Sequence, residues 1–416
     1  MKTIDFLERQ NHWWNNPSYR PPEQSLPRRE AFGKLLSDVD GFRQISGIVG
    51  LRRVGKSTLV KQVIADLLDR RGDCRRIMYF SFDEPAVAEN TRMLEEVIEA
   101  YFNTVLHESP VVPTAPVVIL LDEIQLVSGW QGMLKRYYDG SDKIKFVVTG
   151  SSSLFINARA RESLAGRIFI DTLPPLSFVE YRAMHPAGSF DQYLRFGAFP
   201  ELTKLDEEER KKEYLRDWVI GKVIEVDVPK TAGVRHREDF ERLFWSLLPN
   251  VGQIIDLGWI GAELGIKKGT LYRYLRILED ALLVMRVVNV AGSFRSPSRR
   301  LMKLYPGSVN FLSVCPTPVG EGMWAESYAA GLIMHRFPDA GTWRIRQKEI
   351  DFVSKMARLA IEVKYSREVR DADVASLRDF CRTQTYRGIV LTREESVRQK
   401  DNLTFFPLEQ WTGGEV

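Results

Sequence analysis

The residues with the plainest chemistry are GLRRVGKST, Gly50–Thr58, which fit G-x-x-x-x-G-K-[ST] from Gly50 to Ser57. The stretch runs Gly50, Leu51, Arg52, Arg53, Val54, Gly55, Lys56, Ser57, Thr58; it follows an apolar run and opens a helical one, the context this motif requires. The glycines allow the backbone to turn its N–H groups toward phosphate oxygens. Lys56 then reaches the β- and γ-phosphates, and Ser57 offers its hydroxyl to Mg²⁺. The N-terminus of the following helix adds a dipole that favours anions. ATP with Mg²⁺ is therefore the expected ligand, against the blander alternative of a glycine turn with no chemistry.

A second group is VVILLDEIQ, Val117–Gln125. Its apolar run ends in Asp122 and Glu123, where a buried strand surfaces. Asp122 is placed to hold magnesium, and Glu123 to polarise an attacking water; the alternative is two capping acids after a core strand. FVVTGSSS, Phe146–Ser153, ends a further strand with Thr149 or Ser151 as the candidate sensor of the terminal phosphate. ARARESLAGR then supplies Arg159, Arg161 and Arg167; Arg167 is the chosen charge for the transferring phosphoryl group, often given across a subunit boundary, with a solvated basic helix as the alternative.

Two more constellations lie further on. Leu257–Val284 reads as a helix-turn-helix with apolar positions Ile260, Leu264, Ile266, Leu271, Leu275, Leu278 and Leu282. Its second helix is expected to expose Lys267, Lys268, Thr270, Arg273 and Arg276. The acid-free stretch after it carries Arg286, Arg295, Arg299, Arg300 and Lys303 and suits a flexible basic wing. Helix and wing together fit the DNA backbone and major groove, although winged helices also bind proteins. Toward the C-terminus, Glu326, Asp351, Glu362 and Lys364 have the spacing of a PD-(D/E)xK nuclease site. Positions 362 and 364 fall on one face of a strand; Asp351 and Glu362 are candidate ligands of a divalent metal, with Lys364 orienting water and Glu326 completing the shell. Surface charge, or a folded but inactive domain, are the competing readings.

The elements that must position these groups follow from periodicity. Strands are expected at 44–49, 77–82, 117–121, 145–149 and 167–173, alternating with amphipathic stretches, which means a parallel α/β sheet. Leu59, Val60, Val63, Ile64, Leu67 and Leu68 repeat with a helical period closed by Gly72. The segments divide as a proline-rich lead-in at 1–40, a P-loop core at 41–180, a charged helical region at 181–250, the winged helix-turn-helix at 251–305 and the nuclease-like part at 306–416. From Gly320, helix–strand–strand–helix–strand is expected, with strands near 350–354, 359–363 and 388–391.

Composition sets the frame. A chain of 416 residues with 44% hydrophobic and 27% charged residues is ordinary for a globular protein of several domains. No apolar run approaches the ~18 residues of a membrane span, and the N-terminus has no apolar signal core. Cys74, Cys315 and Cys381 are scattered, forming neither a disulfide framework nor a zinc cluster, so a reducing cytoplasm is expected. A net charge of +4 does not by itself imply nucleic acid.

The extra strand at 77–82 between the two nucleotide motifs, together with Glu123, points to the branch of P-loop proteins that holds the AAA+ ATPases. Taken together, GLRRVGKST, LLDEIQ, TGSSS, LAGR with PLSFVEY, FGAFPE, YLRILEDALLV, the Trp343–Arg344 pair, EIDFV and IEVK resemble a bacterial and archaeal family of AAA-type ATPases with a trailing winged helix and nuclease-like domain. One departure is KLYPGSVNFL, where family members usually carry an aspartate after the short strand. The resemblance implies an α/β P-loop AAA+-like domain, a helical middle with a winged helix-turn-helix, and a C-terminal α/β restriction-endonuclease-like domain. The functions to weigh are an ATPase acting on DNA as a homo-oligomer, in the form of a ring or otherwise, a nucleotide switch recruiting a protein partner, and an ATP-gated, metal-dependent nuclease.

Overall fold

The structure, a computed structural model, describes residues 3–83, 92–151, 163–229, 233–234, 236–292 and 301–413. Contacts divide the chain into two compact units, Met1–Pro175 and Leu176–Val416. Among the described residues no helix is long and apolar enough to cross a membrane.

The first unit is built on five parallel strands, β1 (Ile45–Gly50), β2 (Ile77–Ser81), β3 (Val117–Asp122), β4 (Ile144–Ser151) and β5 (Ile168–Thr172), in the order β2-β3-β4-β1-β5. Strands β1, β3 and β4 are buried along their whole length, as expected where both faces of a parallel sheet are covered. The order matters for chemistry. Because β4 lies between β1 and β3, its last residues stand between the loop that follows β1 and the acids that end β3. The helix Lys56–Arg70 packs on the sheet through Leu59, Val60, Val63, Ile64, Leu67 and Leu68.

Strand β2 is an edge, and an unpaired edge invites association with other chains. Here the lead-in covers it. The Asn11 side chain donates to Tyr79 O at 2.8 Å and accepts from Tyr79 N–H at 2.7 Å; the indoles of Trp13 and Trp14 both donate to Ile77 O at 2.9 Å. Side chains thus replace the missing neighbouring strand.

The second unit begins with helices Phe178–Met184 and Phe190–Phe196, each opened by a capping box from Ser177 with Glu180 and Ser189 with Gln192. Helix Arg237–Leu247 precedes a pair, Leu257–Leu264 and Lys268–Asp280. Asp256 starts the pair by accepting from Gly258 and Trp259 N–H, and Gly265 ends its first member at φ 69, a left-handed position suited to glycine. Strands β6 (Val284–Val288) and β7 (Met302–Pro306) follow as an antiparallel hairpin, and Ile254 bridges Lys303 on its other side.

The last sheet has six strands: β8 (Gly341–Ile345), β9 (Lys348–Ser354), β10 (Leu359–Lys364), β11 (Arg387–Thr392), β12 (Arg398–Lys400) and β13 (Leu403–Pro407), in the order β12-β13-β11-β10-β9-β8. β8, β9 and β10 are antiparallel neighbours, while β10–β11 and β11–β13 are parallel. Helix Glu321–Arg336 leads in and Ala375–Gln384 connects β10 to β11. β8, β12 and β13 add to the expected helix–strand–strand–helix–strand order; they are short, and their mixed polar residues carry no clear period.

Candidate functional site

The loop after β1 is shaped by close packing and by two left-handed residues. A Cβ at Gly50 would lie 2.5 Å from Leu173 O, so only glycine lets the loop pass the end of β5. Arg53 takes φ 68 and Gly55 φ 98, after which the helix starts at Lys56. Lys56 is only 4% exposed, and its ammonium donates to Gly50 O at 3.1 Å and Leu51 O at 3.0 Å, so it is directed back across the loop. Ser57 and Thr58 sit half-buried in the helix's first turn.

One residue holding this loop has no signature in sequence. Arg29, 5% exposed, donates through one guanidinium nitrogen to Val54 O at 2.6 Å and through the other to Pro174 O at 2.8 Å and Pro175 O at 3.4 Å. Its planar fork clamps the loop to the segment leaving β5.

At the end of β3, Asp122 is 3% exposed and accepts from the Tyr79 hydroxyl at 2.9 Å and from the Thr149 hydroxyl. Both of these partners are hydroxyls rather than cations, so they orient the carboxylate without neutralising it. Glu123 takes a left-handed φ of 55; its N–H donates to Thr149 Oγ1 at 3.1 Å, and its carboxylate accepts from Gln125. Burial pushes the Glu123 carboxyl up, with Lys56 and Arg52 pulling the other way and Asp122 adding to the rise. Burial and the neighbouring Asp122 push the Tyr79 phenol well up, so it stays a donor. Gln125 also approaches Ser151 Oγ at 3.5 Å. The structure thus brings Asp122, Glu123, Thr149 and Ser151 together at the carboxyl ends of β3 and β4, with the Gly50–Thr58 loop beside them after β1. Tyr79, Gln125 and Arg29 were not signalled in sequence.

Among the described residues no group of three or more His, Cys, Asp or Glu is set to hold a metal ion. Magnesium keeps several waters and takes one or two protein ligands plus phosphate oxygens. The hydroxyl-oriented Asp122 carboxyl and the hydroxyl of Ser57 fit that role.

Arg167 does not approach the loop of its own chain. Its carbonyl accepts from Ile45 N–H at the start of β1, and its guanidinium grips Asp139 at 2.7 and 3.1 Å. Gly50 is five residues further along β1, roughly 17 Å away at ~3.3 Å per residue. Arg159 and Arg161 lie outside the described residues.

In the second unit Lys267, Lys268, Arg273 and Arg276 are exposed on or beside helix Lys268–Asp280, while Ile260, Ile266, Leu271, Leu275 and Leu278 are buried. Arg273 donates to Gly233 O at 3.2 Å. Arg286 pairs with Glu279 at 2.6 Å. Arg295, Arg299 and Arg300 lie outside the described residues.

Lys303 corrects an expectation. It is not part of a solvated wing but 4% exposed on β7, and its ammonium lies 2.7 Å from Glu349, 3.1 Å from Glu326 and 3.3 Å from Asp351. Alternation along β7 puts Tyr305 on the same face, where its hydroxyl donates to Glu326 at 2.6 Å. The structure does bring Glu326, Asp351, Glu362 and Lys364 to one place: Val363 N–H donates to Asp351 at 2.9 Å, and Lys364 pairs with Glu362 at 2.7 Å. Burial and the charge of Asp351 push the Glu362 carboxyl up to about 8. Lys303, Tyr305 and Glu349 complete a cluster that sequence spacing placed only in part.

Parts of the chain match known families. Residues 42–182 match the family model described as an AAA domain, and residues 187–306 and 321–411 match two domains of unknown function, DUF8612 and DUF4143. With the parallel sheet and loop above, residues 42–182 form an α/β P-loop domain of the AAA type. The chain is 23% identical over 350 residues to an uncharacterized protein of Haemophilus influenzae, covering 80% of this chain and 84% of that one. It is 24% identical over 293 residues to an uncharacterized protein of Methanocaldococcus jannaschii, covering 64% and 62%. Among solved structures, the Aeropyrum pernix Orc1 protein in complex with DNA aligns at 17% identity and a TM-score of 0.33, covering 77% of this chain and 98% of that one.

Proposed function

We propose that this chain is an ATPase that binds Mg·ATP at Gly50–Thr58, hydrolyses it, and couples turnover to DNA engaged by its second unit. The observation that carries the reading is the gathering of Asp122, Glu123 and Thr149 at the strand ends beside the loop that holds Lys56. Lys56 and the loop N–H groups bind the β- and γ-phosphates. Ser57 and Asp122 would hold magnesium, which would supply charge neutralisation on the phosphate oxygens. Glu123 orients a water and takes its proton; its raised affinity for protons, the effect of burial, suits a base. Thr149 fixes both acids at once, through Asp122 Oδ1 and the Glu123 N–H, and Ser151 joins it as the phosphate sensor.

The DNA part of the reading rests on the second unit. A three-helix set with an antiparallel hairpin, in the order helix, bridge, helix, helix, strand, loop, strand, fits a winged helix, and Lys267, Lys268, Arg273 and Arg276 make its exposed helix basic. Arg295, Arg299 and Arg300, which fall between β6 and β7 in sequence, are assigned to the phosphate backbone on their sequence alone. Residues 321–392 run helix, three strands, helix, strand, with Glu326, Asp351, Glu362 and Lys364 clustered, which supports a nuclease-like fold. Arg167 sits at the far end of the sheet from its own loop, so a role for it in phosphoryl transfer requires a neighbouring copy, and the assembly proposed is a homo-oligomer.

The test is the ATPase rate of protein of weighed mass, with and without single-stranded, duplex and branched DNA. Lys56→Ala is expected to abolish tight nucleotide binding. Glu123→Gln is expected to keep it and to lower turnover by ~10²–10⁴-fold, the usual scale of a general base. Normal turnover by Glu123→Gln refutes the catalytic assignment. No DNA affinity at low salt, and no stimulation by any DNA form, refutes the DNA assignment.

A further inference from the structure

The carboxylate cluster of the last sheet already contains a cation. Lys303 has three ammonium protons and three carboxylate partners: Glu349 at 2.7 Å, Glu326 at 3.1 Å and Asp351 at 3.3 Å. Its stem is fixed because every residue of β7 is buried. Burial works against the charge, but Asp351, Glu326 and Glu349 more than offset it, so the ammonium is retained.

We propose that the Lys303 ammonium is the resident cation of this centre, standing where a nuclease-like site would carry a divalent metal, so that the native chain takes up no metal there and cuts no nucleic acid. The donor set leaves a metal little to bind. Asp351 presents one oxygen to Lys303 and the other to Val363 N–H; Glu326 Oε1 is shared by Lys303 and the Tyr305 hydroxyl; Glu362 Oε1 is taken by Lys364. The one buried carboxylate oxygen in this set with no hydrogen-bond partner is Glu362 Oε2. A hard divalent ion needs several converging oxygens, and to gather them it must expel an ammonium anchored by a strand. The residues present fit a lysine-filled ion cluster, not a metal centre. Removing the ammonium while keeping the stem frees Asp351 Oδ1 and relieves Glu326 Oε1 of one partner, with Glu362 Oε2 already unpartnered, so a divalent ion that draws these oxygens together can take the place of the ammonium. The inference is independent of nucleotide turnover, since none of its groups belongs to the first unit.

The experiment is Mn²⁺ uptake by the nucleotide-free full chain, followed by the loss of the free-ion electron paramagnetic resonance signal, with plasmid nicking in Mn²⁺ as a second readout. Four chains are compared: native, Asp351→Asn, Lys303→Met, and Lys303→Met with Asp351→Asn. The native chain is expected to behave as Asp351→Asn does, with no nicking. Lys303→Met is expected to gain one ion per chain, lost again in the double variant. Mn²⁺ uptake or nicking by the native chain that Asp351→Asn removes overturns the proposal. So does a folded Lys303→Met chain that takes up no ion. If Lys303→Met unfolds, recovery of its circular-dichroism signal by Mn²⁺ supports the proposal, and failure to recover counts against it.

Discussion

Arg29 offers the sharpest test of how the nucleotide loop is held. Its two short bonds, 2.6 Å to Val54 O and 2.8 Å to Pro174 O, join the loop to the exit of β5 in a site that water barely reaches. A charge-assisted bond of this kind contributes about 1.5–3 kcal/mol, and its loss strands a buried carbonyl. Arg29→Met keeps most of the apolar stem and removes both bonds, so a loss of about 3 kcal/mol, the lower end of the two bonds' summed range, is expected. That loss divides between the folded unit and the loop's binding shape. If a third falls on the loop, ATP binds about 5-fold more weakly; if all of it does, about 150-fold, since each 1.4 kcal/mol is tenfold. Arg29→Lys keeps the charge but has no planar fork to span two carbonyls, and is expected to fall between. Equilibrium titration with a fluorescent ATP analogue, beside urea unfolding of the nucleotide-free chain, separates the two shares. An affinity within twofold of the native chain, in a folded Arg29→Met protein, would show that the clamp does not shape the loop.

Two further perturbations act elsewhere. Asn11→Ala strands the N–H and carbonyl of Tyr79 on the edge of β2, at about 1–3 kcal/mol for each buried group left without a partner; a lower melting temperature and concentration-dependent light scattering are expected, and an unchanged melt refutes the edge-cover role. Glu362 binds its proton more tightly folded than unfolded, because burial and Asp351 lift its carboxyl to about 8. The folded state therefore holds the extra proton between the ordinary carboxylate range and about pH 8, so stability falls as pH rises across that window, by up to ~1.4 kcal/mol per unit for one proton. Glu362→Gln should flatten that slope in urea midpoints measured from pH 5 to 8, and equal slopes in the two proteins would contradict it.

What the sequence made legible follows from which forces are local. Strands β1 to β4 of the first sheet read correctly to within a residue or two because a strand buried along its length is rich in apolar residues, as in VVILL before Asp122. The loop was legible because its geometry demands glycine at fixed positions. Arg29 was not: an arginine in SLPRRE looks like any solvated charge, and its partners are 25 and 145 residues away. Tyr79 in IMYFS reads as one more core aromatic, since nothing local says that its hydroxyl faces Asp122. Lys303 was misplaced for the same reason, because a run of basic residues reports charge but not which of them is buried. Contacts gather residues 176–416 into one compact unit.

That unit has a physical cause in the hairpin. At the end of β6, Val290 N–H donates to Thr342 O at 2.8 Å, and the Asn289 side chain makes two 3.0 Å bonds with the backbone of Arg344, so the hairpin is bonded to β8. A Cβ at Gly341 would lie 2.4 Å from Val288 O, which shows how closely the two strands run. β7 enters the ion cluster through Lys303 and Tyr305, whose partners come from helix Glu321–Arg336 and from β9. An apolar contact would tolerate a slip along the strand, whereas a lysine with three carboxylates on two elements does not: a shift by two residues would put Tyr305 where the ammonium stands and leave buried acids unpaired. Buried charge is weak evidence for stability but a strong constraint on register. The cluster thus fixes the basic hairpin and the last sheet as one body, and a partner that moves the hairpin must also move Lys303 among its carboxylates.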